Sequence, residues 1–344
     1  MSRANAGSIR LSVIVPTHNR PDKLVETLSC LQQQDLAGAD YEVIVVDDGS
    51  NPPVRLPDRF ARPAFTLVRL NGLGRSAARN KGAAIAKGGL LVFLDDDMKA
   101  PANFLASHLR AHGEWPDALL VGAVRLPVEA VSKPFGRFRQ RLEDQTAPRV
   151  PGLVSVRNFC TAANMSISRD LFYKLGGFDS QIQSGEDQDF ALRHTAANGR
   201  IAFVPEAETV HRDSALDARS YCQRAEWGMR EILPFCYRHP DWPDNIERER
   251  VNGLIQLGRE PIALSAYKLF KKAVGFRPFT SVLFFIAALL ERVAPRSLAL
   301  DKSYRLLLGV YIFRGYRTGL KKYGGRAEPG QSPSQSVATG RAMF

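Results

Sequence analysis

The apolar positions of the first hundred residues fall into short, continuous, β-branched runs separated by stretches of helical spacing. Leu11-Ser-Val-Ile-Val15 is stopped by Pro16, and Tyr41-Glu-Val-Ile-Val-Val46 and Leu90-Leu-Val-Phe-Leu94 repeat the form. Runs of this length bounded by turn residues predict strands buried on both faces of a parallel sheet. Between them Pro21 opens a helix in which Leu24, Leu28 and Leu31 recur at helical spacing. Residues 65–70 read as a further strand and 76–86 as a helix of small residues. Strand and helix alternate, so the expected class is α/β, a doubly wound sheet.

Beyond residue 100 the pattern loosens. Residues 103–112 and 187–198 read as helices, and 119–124, 161–168 and 201–204 as strands. Residues 133–151 are charged and carry no evident core signal, which reads as a mobile loop. From about residue 218 the chain is helical in pattern. Ile312, Tyr316, Leu320 and Tyr323 form a stripe, with Arg314, Arg317 and Lys321 on another side. Such a helix fits a membrane interface with its bases on anionic lipid, or an amphipathic helix packed on the preceding domain. The apolar run 281–290 is too short to span a bilayer and reads as buried or interfacial. The organisation expected is a flexible N-terminus (1–10), an α/β domain (11–215), a helical C-terminal region with possible membrane-interface helices (216–323) and a disordered Gly-, Ser- and Pro-rich tail (324–344).

Composition changes this picture in two places. The net charge of +12 suits anionic partners, and residues 302–326 carry seven Lys and Arg with no acid, which reads as a solvated face or an anion-binding one. The four cysteines are scattered without a CxxC pair, which points to a reducing compartment and away from zinc. Residues 1–10 lack the apolar core of a secretion signal.

Candidate chemistry gathers after the strands. Thr17–Arg20, Asp47-Asp48 and Asp95-Asp96-Asp97 each follow a predicted strand, where doubly wound sheets bind ligands, so the three should converge. Three adjacent carboxylates repel one another unless a cation neutralises them, and their hard oxygens suit Mg²⁺ or Mn²⁺ bridging a diphosphate. An Asp after the second strand can accept from a base or a ribose. Gly72–Gly82 joins glycines to Arg75, Arg79 and Lys81. Gly185-Glu-Asp-Gln-Asp189 opens a helix, where a carboxylate serves either as a cap or as a general base. His211 stands alone after a strand and reads as structural or as a ligand.

Taken in order, Val15-Pro-Thr-His-Asn-Arg20, Val46-Asp-Asp-Gly-Ser50, Ser76-Ala-Ala-Arg-Asn-Lys-Gly82 and Phe93-Leu-Asp-Asp-Asp97 resemble the family 2 glycosyltransferases, which adopt the GT-A fold, a Rossmann-like mixed sheet flanked by helices. Ala163-Asn-Met-Ser-Ile-Ser-Arg169, Gly176-Gly-Phe-Asp179, Gly185-Glu-Asp-Gln-Asp189 and His211 extend the resemblance to about 200 residues. It implies a nucleotide-binding half (11–100), an acceptor half (101–215) and inverting transfer of a sugar from a nucleotide-diphosphate sugar, UDP first among them. It implies Pro16, Thr17, Asn19, Arg20, Asp47, Asp48, Arg79, Lys81, Asp95 and Asp96 around the donor. Asp95, Asp97 and His211 would meet Mn²⁺ or Mg²⁺, and Asp187 would be the catalytic base. Asp96 fills the middle of the DxD motif, where small or apolar residues are also common. That leaves open which pair of the three carboxylates binds metal.

The acceptor implied is a carbohydrate or a lipid-linked glycan of the cell envelope, with the protein peripheral on the cytoplasmic face of the membrane. A sugar nucleotidyltransferase would carry a glycine-rich loop where Pro16–Arg20 stands, and an inactive nucleotide-binding regulator would lack catalytic positions that are present here. No nucleic-acid motif accompanies the basic charge.

Overall fold

The computed structural model describes residues 9–37, 40–60, 65–156, 159–212 and 217–324. The N-terminal residues and the tail expected to be disordered fall almost wholly outside these. The first half builds β1 (Leu11–Thr17), α1 (Pro21–Gln32), β2 (Tyr41–Asp48), β3 (Phe65–Leu70), α2 (Arg75–Ile85), β4 (Leu90–Leu94), β5 (Met98–Lys99) and α3 (Phe104–Glu114). It continues with β6 (Ala118–Arg125), α4 (Val128–Val131), α5 (Pro134–Thr146), β7 (Gly152–Val154), β8 (Asn164–Ser168), α6 (Arg169–Lys174), α7 (Glu186–Ala196) and β9 (Arg200–His211). Helices follow to the end: α8 (Ala218–Glu231), α9 (Leu233–Arg238), α10 (Pro243–Asn252), α11 (Ile262–Val274), α12 (Arg277–Val293) and α13 (Leu298–Tyr323).

The sheet runs β3-β2-β1-β4-β8-β6-β9-β5, with β7 beside β9. β3, β2, β1 and β4 are parallel, and β8 is antiparallel to both β4 and β6. This is the mixed, helix-flanked sheet expected from the sequence. Its strands alternate between two apolar layers. Val13 and Val15 pack with Leu24, Leu28 and Phe104 on one face, while Ile14 and Val46 pack with Ala78, Phe172 and Phe190 on the other. That double burial is why the strands read as continuous apolar runs.

Two expectations are corrected. Residues 133–151, read as a mobile loop, contain the helix α5. Phe135, Phe138 and Leu142 form its apolar stripe, and Phe135 and Phe138 each stack 5.1 Å from Tyr304 of α13. The Ile312–Tyr323 stripe of α13 faces protein. Tyr316 is buried and its hydroxyl donates to Glu249 at 2.6 Å, and Lys322 and Tyr323 both hydrogen-bond Glu231 of α8. Packing on neighbouring helices, the other reading of that stripe, is the one the fold adopts.

The α8–α13 contact is close because two glycines remove side chains from it. A Cβ at Gly315 would lie 2.2 Å from the Glu226 carbonyl oxygen, and one at Gly319 would lie 2.6 Å from that of Arg230. Gly315→Ala is therefore expected to prise α13 from α8 and cost about 1–3 kcal/mol, read as a lower midpoint in urea or thermal unfolding. An unchanged midpoint would mean the two helices are not tightly docked.

Candidate active site

The acidic loop after β4 is fixed from several sides. Thr17 Oγ1 at the end of β1 donates to Asp96 Oδ2 at 2.6 Å, and Thr27 Oγ1 of α1 donates to the Asp96 carbonyl at 2.8 Å. Arg20 Nη1 donates to Asp97 Oδ2 at 3.0 Å and lies 3.5 Å from Asp96. Arg79 of α2 donates to Asp95 at 2.8 Å from one nitrogen and to Glu186 at 3.0 Å from another. β5 pairs with the end of β9, placing Met98 opposite His211, and Arg212 N–H donates to the Asp97 carbonyl at 2.8 Å. Chain pairing therefore carries His211 to the acidic loop across more than a hundred residues.

These groups surround a cavity of about 810 Å³. Pro16, Thr17, Arg20, Asp48, Arg79, Asp95, Asp96, Asp97 and His211 line it, so the three strand-end clusters do converge. Asp96 and Asp97 are each only 5% exposed. Burial raises the Asp96 carboxyl to about 6, against the pull of Thr17 and Arg20. For Asp95, burial is outweighed by the charge and hydrogen bond of Arg79, which hold the carboxyl below its ordinary value.

Other expected residues stand behind the wall. Asp47 is 1% exposed and accepts from Ser50 N–H at 2.8 Å, Val54 N–H at 3.1 Å and Arg69 at 3.3 Å. Burial raises its carboxyl but these partners outweigh it, leaving the carboxyl below its ordinary value. Its oxygens hold the loop after β2 and do not line the cavity, which corrects the expectation that Asp47 touches the base or ribose. The adjacent Asp48 does line it, and anchors the N–H groups of Leu73 and Gly74 at 2.7 Å each. Gly49 adopts φ +82°, and a Cβ there would meet Gly72 N at 2.8 Å, so this turn requires glycine. Asn19 accepts from Asn51 N–H and shapes the same turn.

Lys81 is exposed and does not line the cavity, which corrects its assignment to the donor site. Arg75 and Arg79 are four residues apart and share a face of α2, whereas Lys81 is half a turn round. Arg79 reaches the cavity, as expected of it, with its guanidinium engaged by Asp95 and Glu186.

Asp187 is half-buried at the start of α7, beside Glu186, and is not on the cavity wall. Burial and the like charge of Glu186 raise its carboxyl to about 6, against Arg79 and Arg75. Arg75 and Arg79, whose charges pull on Asp187, do line the cavity, so Asp187 stands next to that wall. The far wall was missed by sequence reasoning. It includes Gln140 and Asp144 from α5, Arg149, and Arg224 and Trp227 from α8, with Arg75 stacked 5.5 Å over the Trp227 ring.

Whether the residues fit a divalent cation turns on one atom. Asp97 Oδ1 is buried and accepts no hydrogen bond from the described residues, and His211 Nε2 lies 3.3 Å from it. A carboxylate oxygen and an imidazole nitrogen held together in this way suit Mn²⁺ or Mg²⁺ with its remaining positions open. Among the described residues no set of three His, Cys, Asp or Glu is placed to hold a metal ion. Other ligands would have to come from substrate or water.

The sequence model described as "Glycosyl transferase family 2" matches residues 12–176, which contain β1 through β8 and the whole acidic loop. This segment is a family 2 glycosyltransferase domain. It is similar to an uncharacterized glycosyltransferase of Haemophilus influenzae, 29% identical over 53% of this chain and 61% of that protein. It is also similar to the pre-mycofactocin glycosyltransferase of Mycobacterium tuberculosis, 28% identical over 67% of this chain and 48% of that one. The chain thus spans about half to two thirds of the length of these curated relatives. In fold it is similar to a mannosyltransferase of Pyrobaculum calidifontis, with a TM-score of 0.55 and 20% identity over 91% of this chain and 88% of that one. The family 2 domain accounts for β8 as well. Asn164 of its Ala163–Arg169 motif donates to the carbonyls of Ala123 and Ala207, tying β6 to β9 beneath the site.

Proposed function

We propose that the protein transfers a sugar, with inversion, from a nucleotide-diphosphate sugar to an acceptor hydroxyl. The observation that carries the reading is the orphaned Asp97 oxygen facing His211 on the wall of the family 2 domain's cavity. Asp97 and His211 would hold Mn²⁺ or Mg²⁺, and Asp95 would meet the metal or the ribose. A bound divalent cation would supply neutralisation of the charge that builds on the leaving diphosphate. Pro16, Thr17, Arg20 and Asp48 would line the nucleotide end, while Asn19, Asp47 and Asp96 hold that wall in shape. The relative from Pyrobaculum calidifontis is in complex with GDP-Man and Mn²⁺, which supports the same fold carrying both. UDP-sugars are the first donors to try and GDP-sugars the second.

Asp187 would take the proton of the acceptor hydroxyl. That oxygen would form a bond to the anomeric carbon while the bond to the diphosphate oxygen breaks on the opposite face, releasing the nucleoside diphosphate. Arg75, Trp227 and Arg149, on the far side of the cavity, would frame the acceptor. The acceptors favoured are carbohydrates and lipid-linked glycans of the cell envelope, reached from a peripheral position on the cytoplasmic membrane face. The test is nucleoside diphosphate release from UDP- and GDP-sugars with Mn²⁺ present, with the product's anomeric configuration read by NMR. Inversion supports the reading, and retention contradicts it.

The raised Asp187 carboxyl sets a pH dependence. A base must be unprotonated, so kcat should fall about tenfold per pH unit below about 6 and level off above it. Residual activity of Asp187→Asn should lack that acidic limb. A limb that persists in the variant would assign it to another group.

A further inference from the structure

The C-terminal helices leave one large apolar surface without a partner. The inner face of α12 packs through Leu283, Phe284, Ala287 and Leu290 into the cluster around α13. Its outer face carries Phe279, Val282, Ile286, Leu289 and Val293 at three- and four-residue spacing, with Phe285 beside them. All six are exposed, Phe285 by 70%. Phe276, at the corner between α11 and α12 and one turn before Phe279, continues the stripe and is also 70% exposed. An apolar stripe of this length on a soluble surface marks an interaction site.

The same corner bounds a second cavity, of about 540 Å³, between α11 and α13. Lys272, Arg314, Arg317 and Lys321 line it together with Phe276, and no carboxylate does. Arg314 is paired with Glu226. Arg317 Nη1 is buried with no hydrogen-bond partner among the described residues, and neither Lys272 nor Lys321 has a described ion pair. An unpaired guanidinium nitrogen in a basic pocket is suited to a phosphate oxygen.

We propose that the α11–α12 corner docks on an anionic bilayer. The Phe276–Val293 stripe would lie among the acyl chains, and a lipid headgroup phosphate would occupy the pocket against Arg317. Charge complementarity selects this occupant. The apolar stripe and the basic pocket share Phe276, and an interfacial helix needs both features side by side. Among the described residues no single helix is long and apolar enough to cross a membrane, and α11 and α12 meet that measure only as a pair bent by 88°. The 88° bend, with the inner face of α12 packed against α13, suits a surface that lies on the bilayer. This deepens the peripheral attachment proposed above and is independent of the transferase chemistry.

The test is flotation of the full chain with phosphatidylcholine vesicles, with and without phosphatidylglycerol, in the absence of any donor. Binding is expected only to the anionic vesicles. Removing three charges with Lys272→Gln, Arg317→Gln and Lys321→Gln should weaken it on the order of 100-fold. Phe279→Ser with Phe285→Ser should weaken it by at least about tenfold. Both variants alter exposed or cavity-lining groups, so their thermal midpoints and their nucleotide binding should match wild type. Inorganic phosphate at matched ionic strength should leave vesicle binding in place. Equal binding to neutral vesicles, or binding that survives either variant, overturns the proposal. So does displacement by inorganic phosphate, which would make the pocket a free-phosphate site. Failure to float, with the phenylalanine variant instead dissolving a dimer in light scattering, would assign the stripe to self-association. Because no donor is present, none of these outcomes bears on the transferase site.

Discussion

Asp187→Asn is expected to lower kcat by about 10²- to 10⁴-fold, the usual contribution of a positioned general base, with donor binding unchanged. The substitution keeps the side chain's shape and removes its basicity. Asp187 Oδ1 accepts from Gln188 N–H at 2.9 Å, a bond that an amide oxygen also makes, so α7 should keep its start. The change also removes one member of the Glu186–Asp187 like-charge pair, which leaves stability equal or slightly higher. The measurement is kcat and KM for the donor in saturating acceptor, together with nucleotide binding by calorimetry. Near-wild-type kcat would remove Asp187 from the mechanism and turn attention to the α5 carboxylates that line the cavity, Glu143 and Asp144.

Asp97→Asn is expected to lower kcat/KM by about 10²- to 10³-fold, the range seen when one electrostatic stabiliser of a developing charge is lost. It should also abolish the dependence of nucleotide binding on Mn²⁺. Asp97 Oδ1 is the buried oxygen with no described hydrogen-bond partner, so an amide there loses a ligand without breaking a hydrogen bond seen in the fold. The amide oxygen can keep the hydrogen bond from Arg20, which is 49% exposed and can also turn to water. The unliganded protein should therefore unfold at the same temperature as wild type, which separates loss of metal from loss of fold. Metal-dependent binding that survives the substitution would place the cation elsewhere.

The strand-end side of the cavity was legible in the sequence because the physics there is local. β1, β2 and β4 are buried on both faces, so they read as unbroken apolar runs. The polar residues that end them must then emerge at one edge of a parallel sheet. Local reading could not tell neighbouring side chains apart. Asp47 and Asp48 differ by one position on a strand, and only Asp48 faces the cavity. Arg79 and Lys81 differ by half a turn on α2, with the same result. The wall built from α5 and α8 was illegible for the opposite reason. In α5, Phe135 and Phe138 stand among Arg, Gln and Glu, and their burial is created by Tyr304 some 165 residues later. Arg224 and Trp227 reach the cavity only once α8 is docked by Gly315 and Gly319. The membrane-facing stripe was sought on α13, where spacing alone suggested it. Tertiary packing covers that helix and leaves α12 exposed instead.

The central claim is that Asp97 and His211 bind a nucleotide diphosphate through a divalent cation. Its most direct test is the thermal midpoint of wild type and Asp97→Ala with UDP, GDP, CDP and dTDP, each with Mn²⁺ or with EDTA. Binding to the folded state raises the midpoint by mass action. The expected result is a rise with one nucleotide in Mn²⁺ that disappears both in EDTA and in the variant. No rise with any nucleotide in Mn²⁺, or a rise that is the same in EDTA, would contradict the metal-bridged donor site.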